Sequence, residues 1–535
     1  MFKLLRSVVL LFPVIALLSN GCTREHGQVP GDIRAIFAKP AYQHATWGLR
    51  VTDMDTGEVI YDLNPDHHFL IGSVRKLLSV GLLLNAVGSR HTFVTPVHRQ
   101  GIVRRGVLTG NLILVASGDL TMGGRRNPDG SVAIANLDHN EANDLGNAQL
   151  TAPDPLAGYR ALAQQIAASG IKEVQGDVII DDRLFVPFRF RGQFDVRPIF
   201  VNDDAVDVTI TPTAPGAPAS VQWRPASSAF GVMSTLTTSP AGSAVRVELE
   251  PELPTCIGVP NCVAKVSGQI PADFVPPLTS AFPLVRTFRI VEPARYARTG
   301  LIEALKNAGV TVKANAVGPN RVELLPPPNS YAPDTKVAEL VSVPYADIAR
   351  FILKVSYNIG ADTALVLFGL TRGVKDMRGS LDAERKVLSA DFGIRAEDFT
   401  FVDGSGGGLT TATTKVVTTF LERMSRTPDF AGYHAALPIL GIDGSLASVS
   451  EFKRQPSLAG AERHVFAKTG TFVEGTAAGP VLRAKALAGY IQTKSGRRLA
   501  FAIVVNDAGV LSSVDELFRA VQDQGTIAAI LWRDH

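Results

Sequence analysis

Ser73 and Lys76 stand three residues apart in Gly72-Ser73-Val74-Arg75-Lys76. Residues three apart share a face of a helix, so a hydroxyl and an amine would lie side by side. A serine hydroxyl is a weak nucleophile until a neighbouring base takes its proton. Lysine can be that base only when neutral, and its ordinary pKa near 10.4 keeps it charged at pH 7. A depression of about three units, roughly 4 kcal/mol, is required. Burial and a second nearby cation both act in that direction. The competing reading is a serine capping a core helix, with a lysine at its rim. Ser-x-x-Lys alone does not choose between them, since Ser169–Lys172 and Ser450–Lys453 repeat the spacing.

Two further motifs follow in order. Ser356-Tyr357-Asn358 lies between two helical stretches and is the only Ser-x-Asn in the chain. Lys468-Thr469-Gly470-Thr471 ends an alternating, strand-like stretch. Ser356 can relay a proton toward a leaving group. Asn358 can hold Lys76 and bind a substrate carbonyl. Lys468 supplies the second cation. The Lys468-Thr469-Gly470-Thr471 stretch also offers a charge and two hydroxyls to a substrate carboxylate. The backbone N–H groups of Ser73 and Thr471 can form an oxyanion hole. A decoy, Lys494-Ser495-Gly496, falls in a hairpin turn, and neither of the other Ser-x-x-Lys pairs opens an apolar helix.

Elements must position these groups. Leu77 to Leu84 is apolar nearly all round, which predicts a buried helix. Ala45–Val51 and Glu58–Leu63 alternate about Asp55-Thr56-Gly57, a hairpin. Further strands are expected at 466–471, 486–492 and 499–506, and helices at 344–354, 362–370 and 513–521. The region from about 93 to 340 reads as strands with a helix at 156–169 and another at 299–309. Pro and Gly are dense at 212–225 and 251–277, and Arg125–Asn147 reads as a polar surface loop. Asp403-Gly404-Ser405-Gly406-Gly407-Gly408 is a loop without the Lys-Ser/Thr sequel of a nucleotide-binding glycine loop.

A chain of 535 residues is more than one domain. A net charge of +3 and the lack of a basic-aromatic stripe point away from nucleic acid. Lys3 and Arg6, then the apolar run Val8–Leu18, then Ser19-Asn20-Gly21-Cys22, have the layout of an export signal over residues 1–22. Cys22 after Gly21 resembles a bacterial lipobox, although Ser19 stands where that motif usually has Leu. Two fates stay open: a lipid anchor on Cys22 attached to a membrane, or release into the periplasm. Cys256 and Cys262 frame five residues, and in an exported chain a close pair suggests a local disulfide. No His-Glu-x-x-His or paired Cys-x-x-Cys occurs, so no metal is expected.

Ser-x-x-Lys, Ser-x-Asn and Lys-Thr-Gly in this order mark active-site serine, penicillin-interacting enzymes. The chain resembles the D-alanyl-D-alanine carboxypeptidase/endopeptidases, the class C low-molecular-mass penicillin-binding proteins. Leu114–Thr121, Gly176–Asp182, Asp403–Gly406 and Leu437–Leu446 match family stretches. The long interval from Ser73 to Ser356 fits this family and not a β-lactamase. There are departures. Ile71-Gly72 replaces the family's Pro-Ala, and Tyr357 stands where Asp is frequent. Neither change removes a reacting group.

The resemblance implies a mixed α/β fold, a transpeptidase/β-lactamase-like domain split by two inserted β-rich domains. The first segment would span 23–98 and the second 340–535. Inserted domain II would comprise 99–190 and 285–339, and inserted domain III 191–284. It further implies a periplasmic or cell-envelope serine DD-peptidase without cofactor, acting on peptidoglycan stem peptides and acylated by β-lactam antibiotics at Ser73. Asp181 falls where the family has an acidic residue facing the cleft, an expected substrate contact. The rivals are a β-lactamase or esterase on the same fold, and a catalytically idle peptidoglycan-binding protein.

Overall fold

The computed structural model describes residues 27–477 and 479–535. The export signal and Cys22 lie outside the described residues.

Thr46–Asp53 and Val59–Leu63 form the expected hairpin. Asp53 shapes its turn, its Oδ1 accepting from the backbone N–H groups of Asp55 and Thr56 at 2.9 and 2.8 Å. Three C-terminal strands complete a five-stranded sheet in the order Val59–Leu63, Thr46–Asp53, Arg498–Val510, Gly479–Gln492, Val465–Thr476. Every neighbouring pair is antiparallel. Residues before Ser73 and residues after Ser356 therefore share one sheet.

Strand residues alternate between the two faces, and the two faces differ in size. Leu499, Phe501, Ile503 and Val505 pack with Trp47, Leu49 and Val51 against Ile527–Trp532 of the helix Val514–Asp534. Ala486, Ala488, Ala500, Ala502 and Val504 face the opposite side, in the core that contains Leu77, Leu78 and Leu82. Small residues on that face leave room for the helix Lys76–Val87. Gly81 extends the fit, because a Cβ there would lie 3.0 Å from the rings of Phe420 and Tyr433. Helices Tyr345–Val355, Asn358–Leu370 and Thr414–Met424 close around it. Only its last turn reaches solvent, at Asn85 and Ala86.

The intervening region has its own core. One sheet runs Thr311–Val312, Glu173–Val174, Val107–Val115, Val94–Arg104, Lys336–Val341, with Val178–Asp181 parallel to Val107–Val115. Helices Ala157–Ala168 and Pro293–Asn307 pack with it, so this part is mixed in secondary structure. A three-stranded sheet orders Ser220–Arg224, Ala205–Thr211 and Leu284–Arg289, and a four-stranded sheet centres on Val263–Pro271. The sequence-based boundary at 285 cuts a strand. Leu284–Arg289 is hydrogen-bonded to Ala205–Thr211. Cys256 and Cys262 are disulfide-bonded, with Cα atoms 5.3 Å apart. Among the described residues no helix is long and apolar enough to cross a membrane.

One sequence expectation holds only in part. Within Arg125–Asn147, Arg126 and Pro128–Gly130 are exposed, but Arg125, Asp138, His139 and Asn140 are all buried. Their charges are paired internally, while Asn140 Oδ1 has no hydrogen-bond partner among the described residues. Arg125 binds both oxygens of Asp138 at 2.9 Å and Asp203 through Nε at 2.7 Å. His139 reaches Asp207 and Asp203 with its two nitrogens at 2.5 and 2.7 Å. Complementary charges let a polar sequence occupy an interior, where an unpaired charge would be very costly.

Candidate active site

The turn that carries Ser73 is tighter than the sequence suggested. Gly72–Arg75 is a 3₁₀ turn, and the α-helix starts at Lys76. In 3₁₀ geometry side chains at i and i+3 eclipse, which sets Ser73 directly over Lys76. Lys76 Nζ lies 2.5 Å from Ser73 Oγ. The capping reading of Ser73 finds no support, because no side-chain cap bond forms at either start.

Gly72 and Gly470 let two segments touch. Gly72 has φ +50°, and a Cβ on it would lie 2.7 Å from the Thr471 nitrogen. A Cβ on Gly470 would lie 2.2 Å from the Ile71 carbonyl oxygen. The Lys468–Thr471 strand is thereby pressed against the approach to Ser73. Thr469 Oγ1 donates to Ser445 Oγ at 2.8 Å, and Lys485 Nζ donates to Thr471 Oγ1 at 2.8 Å.

Ser356 ends the helix Tyr345–Val355 in the left-handed conformation, φ 65° and ψ 36°. That conformation is uncommon for a residue with a side chain and gathers at functional sites. It turns the chain within two residues, so that Asn358 opens the next helix. Ser356 Oγ sits 3.3 Å from Lys76 Nζ and 2.9 Å from Lys468 Nζ. Lys76 Nζ also donates to Asn358 Oδ1 at 2.6 Å and to the Ser405 carbonyl at 3.1 Å. Ser73, Ser356 and Asn358 meet around the Lys76 amine, and Lys468, from a third stretch, joins them through Ser356.

Burial dominates the electrostatics. It lowers Lys76 to a pKa of about 7, with Arg191 adding to the effect and Glu141, Asp362 and Asp403 opposing it. Burial also holds Lys468 well below the ordinary lysine range, reinforced by the charges of Lys76 and Lys485. Lys485 falls to about 8 through burial. Asp362 rises to about 8 through burial and the neighbouring Asp403.

The glycine-rich loop supports the turn that carries Ser73. Asp403 Oδ1 accepts from the N–H groups of Ser405 and Gly406 at 3.1 and 2.7 Å. Gly406, φ +95°, lies on the Gly72 carbonyl, where a Cβ would be 2.0 Å from that oxygen. Arg75, fully buried one residue before Lys76, bonds the Asp403 carbonyl at 2.9 Å and Glu384 at 2.5 Å, and stacks over Phe401.

Asp181, the expected substrate contact, has its carboxylate paired within the protein. Its carboxylate accepts from Arg183 Nε and Nη2 at 2.7 and 2.8 Å and from the Tyr331 hydroxyl at 2.6 Å. Both oxygens are engaged within the inserted region. A polar cavity of about 260 Å³ beside Asn358 is lined by Glu141, Asp144, Arg191 and Arg289, among others.

Sequence reasoning missed Glu141, whose Oε1 accepts from Asn358 Nδ2 at 2.9 Å. It also missed the role of Tyr357, buried and donating to the Asp203 carbonyl at 3.2 Å. A polar stretch with paired charges between residues 125 and 141 was the one available signal.

Comparisons with known proteins bear on the family and the fold. The profile of the D-Ala-D-Ala carboxypeptidase 3 (S13) family matches residues 29–524. A D-alanyl-D-alanine carboxypeptidase of Actinomadura sp. (strain R39) is 28% identical over 496 residues, covering 89% of this chain and 80% of the relative. In fold, the chain is similar to penicillin binding protein 4 of Haemophilus influenzae, with a TM-score of 0.67 at 18% identity, covering 94% of this chain and 99% of that one. A second structure of that protein, complexed with a novel β-lactam, gives 0.66 at 19% identity with the same coverage.

Proposed function

From the premise that the chain belongs to the D-Ala-D-Ala carboxypeptidase 3 (S13) family, we propose that it is an exported serine DD-peptidase. It cleaves D-alanyl-D-alanine and related D-Ala peptide bonds of peptidoglycan through an acyl-enzyme on Ser73. The observation that carries the reading is the placement of the buried Lys76 amine, 2.5 Å from Ser73 Oγ and within hydrogen-bond reach of Ser356 and Asn358.

Neutral Lys76 takes the Ser73 proton as Oγ attacks the carbonyl carbon of the scissile bond. The backbone N–H groups of Ser73 and Thr471 receive the developing oxyanion, worth about 3 kcal/mol for a single well-placed donor. The close approach of Gly72 to the Thr471 nitrogen supports that pairing. The proton returns from Lys76 through Ser356 to the leaving D-alanine nitrogen. Ser356 suits this relay because it lies between Lys76 and Lys468. Water then releases the acyl group. Lys468, Thr469 and Thr471 receive the terminal carboxylate, and Asn358 a substrate carbonyl. β-Lactams acylate the same serine.

We read the chain as a transpeptidase-like domain formed by 23–98 and 340–535, with the second inserted block extended to about residue 290. The sheet shared by Thr46–Leu63 and Val465–Val510 supports that division. Residues 1–22 direct the protein to the cell envelope in this reading.

The test is labelling with a fluorescent penicillin, beside Ser73→Ala, together with D-alanine release from a pentapeptide. Ser73-dependent label with release is expected. Absence of Ser73-dependent label refutes the serine mechanism. Label without release indicates an idle wall-binding protein, and rapid penicillin turnover a β-lactamase.

A further inference from the structure

Glu141 comes from the inserted region, yet it touches the catalytic constellation. Its Oε1 accepts from Asn358 Nδ2 at 2.9 Å, while Asn358 Oδ1 accepts from Lys76 Nζ at 2.6 Å. An asparagine amide fits equally well sterically when rotated by half a turn, so hydrogen bonds decide its orientation. Here both ends agree. A carboxylate oxygen accepts, so the nitrogen must face Glu141, and the lysine amine donates, so the oxygen must face Lys76. Rotating the amide would set oxygen against oxygen at one end and donor against donor at the other. We propose that Glu141 is a positioning residue of this site, holding the Asn358 amide so that its oxygen engages Lys76 and its second N–H faces substrate. That second N–H has no acceptor among the described residues.

The inserted region is built to hold Glu141 there. It closes the short helical turn His139–Glu141, which Asp138 caps by accepting from the Asn140 N–H. Asp138 and His139 are fixed by Arg125, Asp203 and Asp207 in the buried network. The same network grips the Ser356 turn from both sides. Arg125 lies 4.0 Å above the Phe351 ring, before the turn, and the Tyr357 hydroxyl donates to the Asp203 carbonyl, within it. One buried network thus contacts both the turn that carries Glu141 and the turn that carries Asn358.

The charge of Glu141 has a separate effect. Lys76 is faced by Glu141, Asp362 and Asp403, which favour its charged form, and by Arg191 and Lys468, which oppose it. Glu141 is itself faced by Asp144, Arg191, Lys76 and Arg289, and burial raises its pKa. An ionised Glu141 holds a proton on Lys76. Its removal makes Lys76 neutral at lower pH.

Two variants separate the hydrogen bond from the charge. Glu141→Gln keeps an acceptor and removes the charge, whereas Glu141→Leu removes both at similar size. The kinetic arm rests on the proposed Ser73 acylation and measures fluorescent penicillin labelling from pH 5 to 9. Glu141→Leu is expected to acylate about 10- to 100-fold slower on the plateau above pH 8, the range of a lost charge-assisted hydrogen bond, with its acid limb lowered as in Glu141→Gln. Glu141→Gln is expected to stay within about 10-fold of wild type, with its acid limb about one pH unit lower. The second arm reads the Asn358 amide directly, by ¹⁵N NMR of its side-chain Nδ2H2 pair in the full chain, assigned with Asn358→Ala. An exchange-protected Nδ2 proton in wild type that Glu141→Gln keeps and Glu141→Leu loses supports the proposal. An unprotected Nδ2H2 pair in wild type, or wild-type acylation by Glu141→Leu, overturns it. The NMR arm decides even if wild type takes no Ser73-dependent label or Glu141→Leu does not fold, so failure of the proposed activity and failure of this assignment are distinguishable.

Discussion

Titrating Lys76 is the sharpest perturbation of the proposed chemistry. Burial lowers its pKa from 10.5 to about 7, a penalty on the charged form of about 5 kcal/mol. Only the neutral amine can take the Ser73 proton. With a midpoint near 7, the neutral fraction is about nine-tenths at pH 8, half at pH 7, one-tenth at pH 6 and one-hundredth at pH 5. The second-order rate of Ser73 labelling by a fluorescent penicillin should therefore fall tenfold per pH unit below about 6.5. Unfolding does not mimic this limb through Lys76. Between pH 7 and 10.5 the unfolded chain binds the extra proton, so this group makes stability rise with pH there. Below 7 both states hold the proton, and Lys76 adds no further change. Melting curves at each pH separate the contributions of other groups. Lys76→Arg, charged at every pH, should lose at least 100-fold in rate, the lower range of general-base catalysis, and lose the limb as well. A wild-type rate that stays flat from pH 8 to pH 5, in protein that remains folded, refutes the assignment of Lys76 as the base.

Three other outcomes follow from the packing around the site. Glu384→Ala leaves the Arg75 guanidinium buried without its carboxylate and should cost about 3–5 kcal/mol of stability, measured by chemical denaturation; a loss below 1 kcal/mol contradicts it. Gly406→Ala places a Cβ 2.0 Å from the Gly72 carbonyl oxygen and should lower stability by about 1–3 kcal/mol while slowing Ser73 labelling, an effect absent if the loop does not support the nucleophile. Tyr357→Phe removes only the hydroxyl bonded to the Asp203 carbonyl; about 1 kcal/mol of stability should be lost, with labelling reduced less than tenfold.

Much of the scaffold was legible in the sequence because its signals are local. The alternation in Thr46–Asp53 and the apolar run after Ser73 are each patterns within a dozen residues. The misread parts depend on distant partners. Arg125, Asp138 and His139 look like loop residues because a polar composition says nothing about where its counter-charges lie, here at Asp203 and Asp207. Leu284–Arg289 pairs with Ala205–Thr211, and no local pattern assigns a strand its neighbour. The hydrogen-bond partners of Asp181 are likewise beyond local reading, with Tyr331 far along the chain.

The chemistry shows the same division. Sequence alone determined which groups are present and in what order: Ser73 and Lys76 at helical spacing, Ser356 and Asn358 flanking a turn, and the Lys468–Thr471 strand end. It also determined that the first pair opens a helix too apolar to face water. Tertiary structure decided that Ser73, Ser356 and Asn358 converge on the Lys76 amine, that the amine is buried deeply enough to titrate near 7, and that Glu141 from the inserted region bonds Asn358. The physical reason is range. Periodicity and turn chemistry act between residues near in sequence, whereas desolvation and charge act between residues near in space, and only the folded chain determines which those are.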